Sequence, residues 1–127
     1  MFTNKKRPIF LNLLQIRLPV GGVLSIAHRV TGVLLSLAIP ATLYLFELSL
    51  SSEQGYQTVM DPIGSPLGQF VVFVLFAILI QHLLSGLRHL LLDLNIGESR
   101  DTARRSAWLV FIVVGLCVLG VGGGLLW

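Results

Sequence analysis

The chain has 127 residues, 54% of them hydrophobic and 12% charged, and a mean hydropathy of +0.85. A soluble domain carries about 25% charged residues, so this composition excludes an ordinary soluble enzyme and points to one all-α membrane domain over residues 1–127. The net charge of +3 does not indicate nucleic acid, because the basic residues flank apolar stretches, where they report topology.

The first fifteen residues open with Lys5, Lys6 and Arg7. Pro8, Asn12 and Gln15, and then Arg17, interrupt any apolar signal-peptide core. The first helix is therefore expected to act as the insertion signal. It should span about 20–48, entered at Pro19 and Gly21-Gly22 and kinked at Pro40. A connection follows at 49–66, with Glu53 and Asp61 and no Lys or Arg. The second span should cover about 67–92 and the third about 106–127, joined by a segment containing Arg100, Arg104 and Arg105. Both basic flanks then fall on one side. The positive-inside rule makes that side cytoplasmic, with the N-terminus cytoplasmic and the C-terminus periplasmic. A multi-pass protein of a bacterial inner membrane is expected.

The third span reads as scaffold. Its lone Cys117 has no partner for a disulfide or a metal pair. Gly120 and Gly124 fit the small-xxx-small packing pattern.

The first two spans carry the chemistry. Ser25, His28 and Arg29 are spaced i, i+3, i+4 and share a helical face offering a hydroxyl, an imidazole and a fixed charge. His82, Ser85, Gly86 and His89 share a face of the second span, with the two histidines about 10 Å apart along the axis. Two antiparallel helices bring these clusters toward the same side of the membrane. His82 falls near mid-membrane, where an imidazole must use its nitrogens: to bond another helix, to carry protons or to bind a metal, including haem iron. Gly86 removes bulk where a flat macrocycle could lie. For Arg88 and Asp93 two readings stand open: a plain interfacial ion pair of little energy, or side chains that hold the helix ends.

Together these residues resemble the cytochrome b membrane-anchor subunits of bacterial succinate dehydrogenase, the succinate:ubiquinone oxidoreductase of respiration. The resemblance rests on Ser25-Ile26-Ala27-His28-Arg29-Val30-Thr31-Gly32 and on the run from His82 to Asp93. It extends to Arg7-Pro8, Asn12-Leu13, Ile16 to Pro19 and Arg105-Ser106-Ala107. It implies an all-α anchor with three transmembrane helices, which shares haem b with a second anchor subunit and works with an iron–sulfur and a flavoprotein subunit. It further implies His82 as an axial ligand of haem iron, Ser25 and Arg29 at the ubiquinone site, and His28, Arg29 and His89 near the haem propionates. On this chain alone no residue is expected to be catalytic. Two other readings stand beside it: a haem-free anchor of a fumarate reductase-like complex, and a small proton-relay or transport subunit. The second would want carboxylates within the spans, and no acid lies mid-span.

Overall fold

The computed structural model describes residues 17–125. These form four helices: α1 (Val20–Ser51), α2 (Glu53–Gly64), α3 (Pro66–Asp93) and α4 (Arg100–Leu125). The basic start at Lys5, Lys6 and Arg7 and the end at Trp127 lie outside the described residues. Three helices, α1, α3 and α4, are long and apolar enough to cross a membrane. The stretches 20–48 and 67–92 lie within α1 and α3, and 106–125 within α4, residues 126 and 127 being outside the described part. α1 continues as one helix through Pro40.

The segment expected as a plain connection contains a helix, α2. Ser52 breaks α1 with an extended backbone and caps α2, its Oγ accepting from the Gly55 amide at 2.9 Å. Ser65 repeats the device, its Oγ accepting from the Gly68 amide at 3.1 Å, with Pro66 opening α3. A serine N-cap satisfies an amide that no helical carbonyl can reach, and proline suits the first turn, whose amides are unbonded anyway. α4 also begins earlier than its apolar run, at Arg100. Asp101 in its first turn and the Arg100, Arg104 and Arg105 side chains, good helix formers, carry the helix beyond the apolar stretch. α3 ends where Asn95 turns left-handed (φ 60°), with the Ile96 amide bonding the Leu91 carbonyl and the Asn95 amide the Leu92 carbonyl.

α3 is the central element, packed between α1 and α4, while α2 closes the far end against α1 and α3. Burial is inverted relative to a soluble bundle. The enclosed positions include Thr31, Ser85 and Arg88 beside Leu24, Val59 and Ala107, whereas Leu37, Leu43, Leu67 and Leu119 are all more than 60% exposed. Small and polar groups meet between the helices and large apolar ones face outward. That is the arrangement a lipid solvent favours, because lipid competes for no hydrogen bonds and leaves close packing to small side chains.

The turn between α2 and α3 depends on backbone proximity. A Cβ on Gly68 would fall onto the Pro62 carbonyl oxygen and 2.7 Å from Ile63 Cα. Gly68→Ala should therefore destabilise the fold by about 1–3 kcal/mol, read as a lower thermal midpoint in detergent. Gly64→Ala, with open space around its Cβ, should not cost a comparable amount.

Candidate functional site

The two polar clusters meet across the α1–α3 interface. His28 Nδ1 donates to the His82 carbonyl (3.2 Å) and lies 2.9 Å from Ser85 Oγ. His82 Nδ1 donates to the His28 carbonyl (3.1 Å) and lies 3.3 Å from Thr31 Oγ1. Each histidine thus bonds the backbone of the other. The rings stack with centroids 4.1 Å apart and planes 10° from parallel.

The sequence repeat behind this is His28-Arg29-Val30-Thr31-Gly32 on α1 and His82-Leu83-Leu84-Ser85-Gly86 on α3. Each reads His-x-x-(Ser/Thr)-Gly, and the two run antiparallel. Position four supplies a hydroxyl that donates back to its own helix: Thr31 to the Ala27 and His28 carbonyls, Ser85 to the Gln81 and His82 carbonyls. That leaves each hydroxyl oxygen free to accept from the opposing imidazole. Position five supplies space. A Cβ on Gly32 would lie 3.0 Å from His82 Cε1, and one on Gly86 would lie 3.0 Å from His28 Cε1. The room that Gly86 opens is occupied by the His28 ring.

The arrangement determines the tautomers. A carbonyl oxygen can only accept, so Nδ1 carries the proton in both rings. In the neutral imidazole Nε2 then presents a lone pair. Such a ring, with Nδ1–H fixed on a backbone carbonyl, is the form in which histidine binds metals.

His89 joins the cluster, its ring centroid 5.2 Å from that of His28 and tilted by 50°. Arg29 points elsewhere than His28. It is exposed, and it lines with His82, Gly32, Val33 and Ser36 an open groove of about 670 Å3 on the outer side of α1. Ser25 is half-buried one turn earlier on α1. The fold thus brings His28, His82 and His89 together and sets Arg29 beside His82.

Arg88 follows the helix-end reading and not the ion pair with Asp93. The residue is 7% exposed, and its guanidinium donates from Nε to Ser106 Oγ (3.0 Å) and from Nη2 to the Ala103 carbonyl (2.8 Å). It ties α3 to the start of α4, and Asp93 is exposed at the end of α3. Burial decides this: an enclosed guanidinium needs acceptors in the adjoining helix, which a carboxylate at the rim does not supply. The Gln81 amide nitrogen is enclosed with no partner among the described residues. Among the described residues, Gly115, Gly120, Gly123 and Gly124 of α4 have no neighbour where a Cβ would stand, and Gly122 packs against Phe73. Thr31 was the site residue that spacing arguments overlooked. Its signal was the doubled five-residue pattern.

Residues 3–121 match the succinate dehydrogenase/fumarate reductase transmembrane subunit family. The chain is also 32% identical, over 120 residues, to the succinate dehydrogenase cytochrome b556 subunit of Coxiella burnetii, covering 94% of this chain and 96% of the relative.

Filling either glycine notch should pry the stacked rings apart. Gly32→Ala and Gly86→Ala are each expected to lower stability by about 1–3 kcal/mol. Gly120→Ala, with nothing within 4 Å of its Cβ, should be neutral or slightly stabilising. Thermal unfolding of the three variants in one detergent checks the contrast.

Proposed function

The chain belongs to the succinate dehydrogenase/fumarate reductase transmembrane subunit family, and we propose that it is the cytochrome b anchor of a succinate:ubiquinone oxidoreductase. In this reading it holds haem b jointly with a second anchor subunit and forms part of the ubiquinone-reduction site. An iron–sulfur subunit would deliver electrons from a flavoprotein subunit that oxidises succinate. The Arg-rich bundle end would face the cytoplasm, by the positive-inside rule, in a bacterial inner membrane.

The observation that carries the proposal is His82. Its ring is oriented by the His28 carbonyl and Thr31, its Nε2 is left as the coordinating nitrogen, and it borders an open groove shared with Arg29. This donor set fits haem iron, for which imidazole is a common axial ligand. His82 would hold the iron from this chain, and the second anchor subunit would supply a further ligand. Haem b, when bound, supplies a one-electron carrier within the membrane. His28, His89 and Arg29 would lie on its propionate side, with Arg29 the cation that offsets carboxylate charge. Histidine and carbonyl here act as a frame: the Nδ1 bonds hold the imidazole plane before any ligand arrives.

Ser25 and Arg29 would serve the quinone. Ubiquinone is apolar and dissolved in the bilayer, while its reduction needs protons from water. A site at the polar end of α1 meets both needs. Arg29 would stabilise negative charge developing on a quinone oxygen, and Ser25 would donate a hydrogen bond to a quinone carbonyl.

His82→Leu should abolish the b-type reduced-minus-oxidised absorption of the purified complex. Succinate oxidation by a soluble artificial acceptor should survive, because that chemistry lies on other subunits. An unchanged spectrum would remove His82 as ligand. A wild-type complex with no b-type absorption would favour the haem-free fumarate reductase-like anchor.

Arg29→Leu should slow quinone reduction by roughly 10²–10³-fold, by analogy with loss of one oxyanion donor. Ser25→Ala should cost on the order of 1 kcal/mol. Quinone reductase and artificial-acceptor activities measured in the same membranes distinguish this from failed assembly, which would lower both equally.

A further inference from the structure

At the end of the bundle where α1 begins, α3 ends and α4 begins lies a second groove, of about 650 Å3. Arg88, Arg100 and Arg104 line it together with Pro19, Val20 and Trp108, and none of the described residues that line it is acidic. Arg88 reaches it from α3, its guanidinium fixed by Ser106 and the Ala103 carbonyl. Arg100 and Arg104 reach it from α4, both exposed and one turn apart. Like charges at i, i+4 repel. A negative group set between them removes that repulsion and gains charge-assisted hydrogen bonds from planar guanidinium forks. Trp108, a further four residues along α4, continues this face with a broad apolar ring and one N–H donor, the kind of side chain enriched where membrane meets water. Glu98 and Asp101 are exposed at the same end but do not line the groove.

We propose that this groove binds the headgroup phosphate of an anionic phospholipid. Arg100 and Arg104 clamp the phosphate, Arg88 adds a fixed positive wall, and the lipid's glycerol and upper acyl segments run along Val20 and Trp108. Basic grooves between membrane helices at headgroup level attract anionic lipid, at about 1 kcal/mol for each Lys or Arg near the surface. Free inorganic phosphate shares the headgroup's charge but would gain nothing from the apolar walls. The site uses neither the stacked histidines nor the Arg29 groove.

The test uses the full chain purified in detergent with whatever subunits accompany it, stripped of lipid. It is offered equal amounts of phosphatidylglycerol and phosphatidylcholine, and retained lipid is counted by native mass spectrometry. One phosphatidylglycerol should be kept per chain in preference to phosphatidylcholine, and millimolar inorganic phosphate should not displace it. R100Q/R104Q should lower that preference roughly 30-fold, about fivefold per arginine. R100K/R104K should keep most of it, and R105Q, at the same helix end but off the groove, all of it. Equal retention of both lipids would overturn the proposal. So would displacement by phosphate, an equal loss in R105Q, or binding that emerges only after accompanying subunits are removed, which would make the groove a protein contact. If the glutamine pair fails to fold, judged by circular dichroism, the wild-type lipid preference, the phosphate competition and R105Q decide the matter.

Discussion

A neutral imidazole placed between membrane helices brings an N–H donor that lipid cannot satisfy, and the rest of this site follows from how that donor is satisfied. His28 and His82 each give Nδ1–H to the other's backbone carbonyl. Those carbonyls lie inside helices and also accept from Thr31 Oγ1 and Ser85 Oγ, so the imidazole must share an acceptor already in use. It can do so only from very close range. Close range requires a helix surface without a side chain at the right place, which Gly32 and Gly86 provide. The hydroxyls of Thr31 and Ser85 supplement the carbonyls from the same helical turn. Two helices that satisfy one another in this way gain a fixed register, because sliding either by a turn would strand both donors.

The clasp also separates two roles within one ring. Nδ1 is spent on structure, and Nε2 of the neutral ring keeps its lone pair. An imidazole that must find its own orientation loses side-chain entropy when it is ordered; here the fold has already fixed it. Arg29 sits next to His28 in sequence, yet the helical turn sends it to the outer groove beside His82. The adjacent pair thus splits between the inner clasp and the outer surface.

The arginines at the bundle end illustrate how context divides one residue type. Arg88 is enclosed and bonded to Ser106 and the Ala103 carbonyl, acting as a strut between α3 and α4. Arg100 and Arg104 stand exposed on the first turns of α4. Meanwhile the outward faces of α1, α3 and α4 are rich in large apolar side chains. The interior is small and partly polar, and the exterior is greasy, so stability in this chain rests on the surrounding lipid or protein as much as on its own core.

Much of this was legible in the sequence. Long apolar runs identified three membrane helices, because no other backbone arrangement of that composition satisfies itself in lipid. The spacings of Ser25, His28 and Arg29, and of His82, Ser85, Gly86 and His89, marked the faces that matter, because helical periodicity is a local property. What periodicity could not reveal was which atom meets which. That the space over Gly86 is filled by His28, that Arg88 bonds Ser106 rather than Asp93, and that Thr31 belongs to the site all depend on the register of one helix against another. The α2 helix escaped for a different reason: its signal is a pair of serine caps rather than a long apolar period. Sequence alone determined the class of protein and the helical faces on which its polar side chains lie, through composition and local spacing. Only the tertiary structure decided their partners and tautomers, since hydrogen bonds between helices are set by three-dimensional register, which no single helix encodes.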